Sequence, residues 1–127
     1  MRVLVDTNIL FSAFLFPGSV PAAALVKAST RDTLVLCDYV INELERVISN
    51  KRPDLLTSLG LYLAKLPHES ICAPRNENSL IADAKDAPIL NAAIDSAVDI
   101  IISGDSHFRS LKIKRPKVLT AAEYLRL

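Results

Sequence analysis

The sequence holds too few cysteines for a disulfide framework, too few histidines for a zinc site and no apolar run long enough for a membrane span. Its two cysteines, Cys37 and Cys72, form no CxxC pair, and in a reducing compartment both read as small apolar side chains without chemistry. The two histidines, His68 and His107, match no zinc-ligand spacing. His107 reads as a surface or substrate-side residue. No stretch approaches the roughly 18 apolar residues that crossing a bilayer requires. Charge also enters the N-terminus by Asp6, too early for a signal peptide, so the expected address is the cytoplasm. The glycines are scattered and make no phosphate-binding loop. There is no repeat, low-complexity segment or interdomain linker.

What is present suits one ordinary domain. The chain has 127 residues, half of them hydrophobic and 23% charged, enough apolar surface to offset the entropy of ordering a single core. Short apolar runs alternate with stretches of helical period, the pattern of an α/β domain with a mainly parallel five-stranded sheet flanked by helices on both faces. Val3-Leu4-Val5 and Ile100-Ile101-Ile102 are unbroken apolar runs, as expected of central strands covered on both sides. Thr33–Cys37, Glu69–Cys72 and Lys117–Leu119 supply the remaining strands. A helix over Tyr39–Asn50, capped by Asp38, carries Val40, Ile41, Leu44, Val47 and Ile48 at spacings of three and four. Another starts near Asp86 with Pro88 in its first turn and Leu90, Ala93, Ile94 and Ala97 on one face. Pro21–Ser29 and Leu55–Lys65 are two more. Phe16–Pro21 is expected to be a turn and Pro74–Ser79 a loop.

Both central strands run into an aspartate. Val3-Leu4-Val5 meets Asp6, and Ile100-Ile101-Ile102 passes through Ser103 and Gly104 to Asp105. In open α/β sheets the ligand crevice lies beyond the carboxyl ends of the strands, so both acids point to that crevice. The plain alternative is that each is a helix cap or turn former. At about 100° per residue, Leu90 and Ala93 fall within about 40° of Asp86 and Ala97 within about 20°, so Asp86 shares the buried face of its helix. It could equally be the N-cap, a position compatible with facing a cleft. Glu43 and Glu45 flank the apolar stripe of their helix about equally, one on each side, and helical phase does not choose between them.

These residues resemble the PIN domain family, and more narrowly the small PIN nucleases that serve as toxins in prokaryotic toxin-antitoxin pairs. The resemblance runs through Val3-Leu4-Val5-Asp6-Thr7-Asn8, Asn42-Glu43-Leu44 in the third helix, Asp83-Ala84-Lys85-Asp86 before the fifth, and Ser103-Gly104-Asp105-Ser106-His107-Phe108. It spans essentially the whole chain and implies one PIN domain over residues 1–127. By the same resemblance Asp6, Glu43, Asp86 and Asp105 converge as catalytic and metal-binding carboxylates, Glu43 being preferred to Glu45. Asn8, with Thr7 and Ser103, would fix the acids or the attacking water. Asp83 competes with Asp86 for the metal, and the phase of Leu90 and Ala93 favours Asp86. Many relatives carry threonine at the position of Ser103, which keeps the hydroxyl and adds a packing methyl.

Four gathered carboxylates repel one another unless a divalent cation neutralises them, and an all-oxygen donor set suits one or two Mg²⁺ or Mn²⁺ ions. The reaction expected of such a site is in-line hydrolysis of a phosphodiester, here RNA, without a covalent enzyme intermediate. Setting the four acids aside leaves ten against fifteen basic residues, so a net charge of +1 becomes about +5 on the remaining surface. Arg109, Lys112, Lys114, Arg115 and Lys117 form a candidate RNA-binding rim next to Asp105, or else a solvated edge of the last strand. The resemblance further implies a cognate antitoxin and a homodimer. A receiver domain would need an acidic pair after the first strand, and a haloacid dehalogenase-type phosphatase would need an aspartate where Asn8 stands. The rival from another class is an inactive PIN-fold module that binds protein or RNA.

Overall fold

The computed structural model describes residues 1–73, 87–105, 108 and 115–127. Five parallel strands, β1 (Arg2–Val5), β2 (Thr33–Cys37), β3 (Glu69–Ile71), β4 (Ile100–Ile102) and β5 (Lys117–Leu119), form one sheet in the order β3-β2-β1-β4-β5. The helices are α1 (Thr7–Leu15), α2 (Val20–Arg31), α3 (Asp38–Lys51), α4 (Leu56–Lys65), α5 (Ala87–Asp95) and α6 (Ala121–Leu125). Successive strand residues point to opposite faces. Val3, Leu4 and Val5 are nevertheless all fully buried, and Ile100, Ile101 and Ile102 nearly so. Both faces of the sheet centre are therefore covered, as the unbroken apolar runs foretell.

Register aligns the ends that matter. Val3, Leu4 and Val5 pair with Ile100, Ile101 and Ile102, and the ladder continues through the Asp6 amide to the Ile102 carbonyl at 3.3 Å and the Ser103 amide to the Leu119 carbonyl at 2.9 Å. Strand order reverses at β1, which sits between β2 on one side and β4 on the other. The carboxyl ends of β1 and β4 thus border the switch-point crevice, the usual ligand site in open parallel sheets.

Several elements differ from the sequence reading. The stretch after Asp6 folds as α1, which carries no charged residue and has only a weak apolar stripe, so helical periodicity does not reveal it. The turn shortens to the residues before Val20, because Ser19 caps α2 through the Ala22 amide at 3.2 Å and Pro21 sits in its first turn. α3 begins at Asp38 itself, with Cys37 at the cap position and no side-chain capping bond. The Asp38 Oδ1 instead accepts the Tyr39 and Ala73 amides, each at 2.7 Å, and so ties α3 to the residues after β3. α5 stops at Asp95, short of Ala97, which takes a left-handed φ of 53°. The Val98 amide then bonds back to the Ala93 carbonyl at 2.9 Å and closes the helix end. A further helix, α6, follows β5, with a capping box between Thr120 and Glu123. The expected loop after Pro74 lies outside the described residues.

Among the described residues no single helix is long and apolar enough to cross a membrane, although α1 and α2 together form a bent apolar pair.

Candidate active site at the switch point

Asp6 fills two roles at once. It ends β1 and caps α1, its Oδ1 accepting the Ile9 amide at 2.9 Å. The capping role accounts for one carboxylate oxygen. The other, Oδ2, accepts a short hydrogen bond from the Ser103 hydroxyl, and the Ser103 oxygen in turn accepts the Asp105 amide at 3.0 Å. One buried hydroxyl therefore links the ends of β1 and β4. Ser103 is fully buried and Asp6 is only 5% exposed, which fixes the geometry of both.

Burial pushes the Asp6 carboxyl above the usual aspartate range. The bonds from Ser103 and Ile9 pull it back in part, while the negative charges of Asp105 and Glu43 push it up again. Glu43 thus reaches Asp6 electrostatically from α3, a helix that packs on both α1 and α5. Glu45, on the other flank of α3, is exposed to solvent. The roll of α3 on its neighbours brings Glu43 and not Glu45 to the acids. Asp105 is partly exposed.

Of the remaining candidates, Asp83 and Asp86 lie outside the described residues. So do Arg109, Lys112, Lys114 and His107. Thr7 is 7% exposed, and its hydroxyl has no hydrogen-bond partner among the described residues. Asn8 is exposed, and no bond from it to Asp6, Glu43 or Asp105 occurs among those residues. Arg115 and Lys117 also depart from the expected rim. β5 runs parallel to β4 with Lys117 level with Ile100, so both residues lie at the opposite end of the sheet from Asp105. Arg115 is ion-paired to Asp99 there. A parallel strand advances about 3.3 Å per residue, and five residues separate Ile100 from Asp105.

The donor set suits a hard divalent cation. Asp6, Glu43 and Asp105 offer only oxygen, and the charge they concentrate raises the Asp6 pKa, a burden that a bound cation relieves. An orphaned hydroxyl at Thr7, directly after Asp6, leaves a further polar atom unsatisfied near the same edge. Among the described residues no three acids, histidines or cysteines are gathered so as to hold an ion by themselves.

Neither the cysteines nor His68 hydrogen-bonds to Asp6, Glu43 or Asp105 among the described residues, although Cys37 ends β2 on the strand next to β1. Cys37 is buried, its thiol pushed up to about 11 mainly by burial, and it bonds Asp38 at 3.5 Å. His68 Nδ1 lies 2.6 Å from the Leu66 carbonyl oxygen.

A family model described as PIN domain matches residues 2–107. No curated protein matches the chain. The structure is similar to a chain in the crystal structure of VapBC2 from Rickettsia felis bound to a DNA fragment from their promoter, with a TM-score of 0.73 at 18% identity over 94% of this chain and 98% of that one. With the match covering most of its length and the acids standing at the carboxyl ends of β1 and β4, the chain belongs to the PIN domain family.

Proposed function

We propose that this protein is a Mg²⁺- or Mn²⁺-dependent endoribonuclease, the toxin of a toxin-antitoxin pair, with residues 1–127 acting as one PIN unit in the cytoplasm. The observation that carries this reading is the buried carboxylate of Asp6 at the switch point, its pKa raised by burial and by the charges of Asp105 and Glu43. Proteins seldom bury and crowd acids without a use for them.

Asp6, Asp86 and Asp105 would provide most of the direct ligands for one or two ions, and Glu43 would hold a second ion or orient the attacking water. A divalent cation, when bound, supplies charge neutralisation and Lewis acidity for in-line hydrolysis of a phosphodiester. The Ser103 hydroxyl locks the Asp6 carboxylate in one orientation and, through the Asp105 amide, sets the start of the loop that carries Asp105. Asp83 would be a supporting acid. Substrate charge would be met by the basic remainder of the surface, without Arg115 and Lys117.

Two observations support a protein partner. The similar fold comes from a VapBC2 assembly. In addition, α1, α2 and α4 border an apolar cavity of about 510 Å³ lined by Phe14, Leu25, Val26, Leu61 and Tyr62 among others, with Val26 and Leu61 both more than half exposed. Exposed apolar surface of this kind marks a contact site more often than free surface, and the reading assigns it to the antitoxin. A homodimer completes the proposed assembly.

The test is sequencing of RNA ends produced by the wild type and by Asp6→Asn with Mg²⁺ or Mn²⁺ supplied. Cleavage should fall by about 100-fold or more in the variant, the loss expected when several kcal/mol of charge stabilisation disappears, while circular dichroism stays native. Equal cleavage by both proteins sinks the site. Inactivity of the wild type with either metal, together with tight binding of protein or RNA, favours the non-catalytic module.

A further inference from the structure

Glu43 also borders a second feature, whose other residues the nuclease reading leaves unused. Tyr39, Asn42, Glu43 and Arg46 line a small open cleft of about 220 Å³ on α3. On a helix turning about 100° per residue these four positions fall within one arc of about 100°, so they form a single longitudinal stripe. Glu43 belongs to both places, lining the cleft and acting on Asp6. The cleft and the acidic centre thus share Glu43.

Its other members have a different chemistry. Arg46 is exposed and makes no ion pair or hydrogen bond among the described residues, whereas Arg2, Arg52 and Arg115 are each paired with a carboxylate. It lies three residues beyond Glu43, about 4.5 Å further along the helix axis. Tyr39 is half-buried against the core and presents an aromatic wall one turn before Glu43. Asn42 is exposed between them and carries both a donor and an acceptor. An aromatic wall, an amide and an unpaired guanidinium beside a phosphodiester-cleaving centre match the parts of one single-stranded nucleotide: a base to stack, its edge to hydrogen-bond and a phosphate to neutralise.

We infer that the α3 stripe Tyr39-Asn42-Arg46 is a nucleotide subsite, holding the residue of single-stranded RNA that adjoins the scissile phosphate. The inference rests on the ribonuclease reading and deepens it. Arg46 contacts the neighbouring phosphate, Tyr39 stacks the base, and Asn42 reads its edge. Because the stripe binds substrate away from the reacting atoms, its loss acts on KM and not on kcat.

The test uses the full chain. In the Asp6→Asn background, binding of a fluorescein-labelled single-stranded RNA of about ten nucleotides is followed by anisotropy across a salt series. Arg46→Gln is expected to weaken binding about tenfold at low salt and to reduce the slope of log affinity against log salt by about 0.7, the contribution of one phosphate contact on a single strand. Tyr39→Leu is expected to weaken binding about tenfold with the slope unchanged, as loss of one stacked base does. In the otherwise wild-type enzyme both raise KM and leave kcat within about twofold, while Arg31→Gln, at the far end of α2, changes neither. Wild-type cleavage with affinity, slope and KM unmoved by Arg46→Gln and Tyr39→Leu overturns the subsite alone. No cleavage and no RNA binding by the parent proteins overturns the ribonuclease reading and the subsite together.

Discussion

The two ends of the sheet treat their acids in opposite ways. At the amino end Asp99, Glu69 and Asp32 each have a cationic or amide partner. Asp99 accepts the Arg2 amide at 2.8 Å and pairs with Arg115, Glu69 pairs with Arg2, and Asp32 takes the N-terminal amine and the Tyr124 hydroxyl. The Arg2 amide holds Asp99 below the usual aspartate range, and the Arg2 guanidinium does the same for Glu69. For Asp32 burial pushes upward, but Tyr124 and the N-terminal amine outweigh it and the carboxyl is again lowered. At the carboxyl end, in the middle of the sheet, Asp6 is raised, chiefly by burial, and the described charges that act on it are those of Asp105 and Glu43. The contrast is not simply one of ends, because Asp38 after β2 is lowered, chiefly by the Ala73 amide. Those acids are held by cations and amides, whereas Asp6, although both its oxygens accept hydrogen bonds, is buried beside other acids where β1 meets β4. That selectivity points to function at this one place.

Four experiments break or sharpen this contrast. The largest effect is expected from Glu43→Gln, which should reduce metal-dependent cleavage about 100-fold, while Glu45→Gln stays within about twofold of wild type. Equal losses in initial-rate assays would mean that the roll of α3 does not distinguish the two acids. Next, Ser103→Ala should lower activity about tenfold, as loss of a group that orients a ligand does, and should shift the pH profile of cleavage upward. Asp6 loses a hydrogen bond that favours its charged form. Ser103→Thr restores the hydroxyl and should recover most of the activity, and an alanine profile superimposable on wild type would rule out the bridging role.

At the structural end, Asp99→Ala should cost about 1 kcal/mol in urea unfolding, the net value of the bond that satisfies the Arg2 amide, with cleavage unchanged. The Asp99 carboxyl is lowered in the folded state, so its contribution is present above the ordinary aspartate pKa of 3.8 and is lost as pH falls through the folded value. The variant should accordingly show a shallower acid limb. The smallest effect, and of opposite sign, is expected from Asp6→Asn. The folded protein holds a proton on Asp6 more tightly than the unfolded chain does, so wild-type stability declines as pH rises from 3.8 through the raised folded value. At pH 7 the asparagine variant should therefore be slightly more stable than wild type, with the advantage vanishing in acid. A variant less stable than wild type at pH 7 would show that Asp6 is a structural acid like Asp99.

Much of this was legible from the chain alone because local patterns sufficed. Unbroken apolar triplets mark β1 and β4, and the residues that end them are Asp6 and Asp105. The helix α1 was not legible. Its apolar residues surround the axis too evenly to show a period, and only its cap at Asp6 marks its start. The termination of α5 before Ala97 was hidden for another reason. A left-handed alanine is disfavoured locally and is imposed by the closing bond from Val98 to Ala93.

The sequence by itself determined which acids end strands, since that depends only on neighbours in the chain, and it determined the parallel α/β class through the alternation of apolar runs and helical stripes. Tertiary structure decided the rest. Glu43 and Glu45 are equivalent on an isolated helix, and only the packing of α3 against α1 and α5 turns one toward Asp6. Arg115 and Lys117 follow Asp105 in sequence yet stand at the other end of the sheet, because a parallel strand must begin where its neighbour begins. Proximity along the chain and proximity in space part company at such a crossover, and the candidate site is assembled in space.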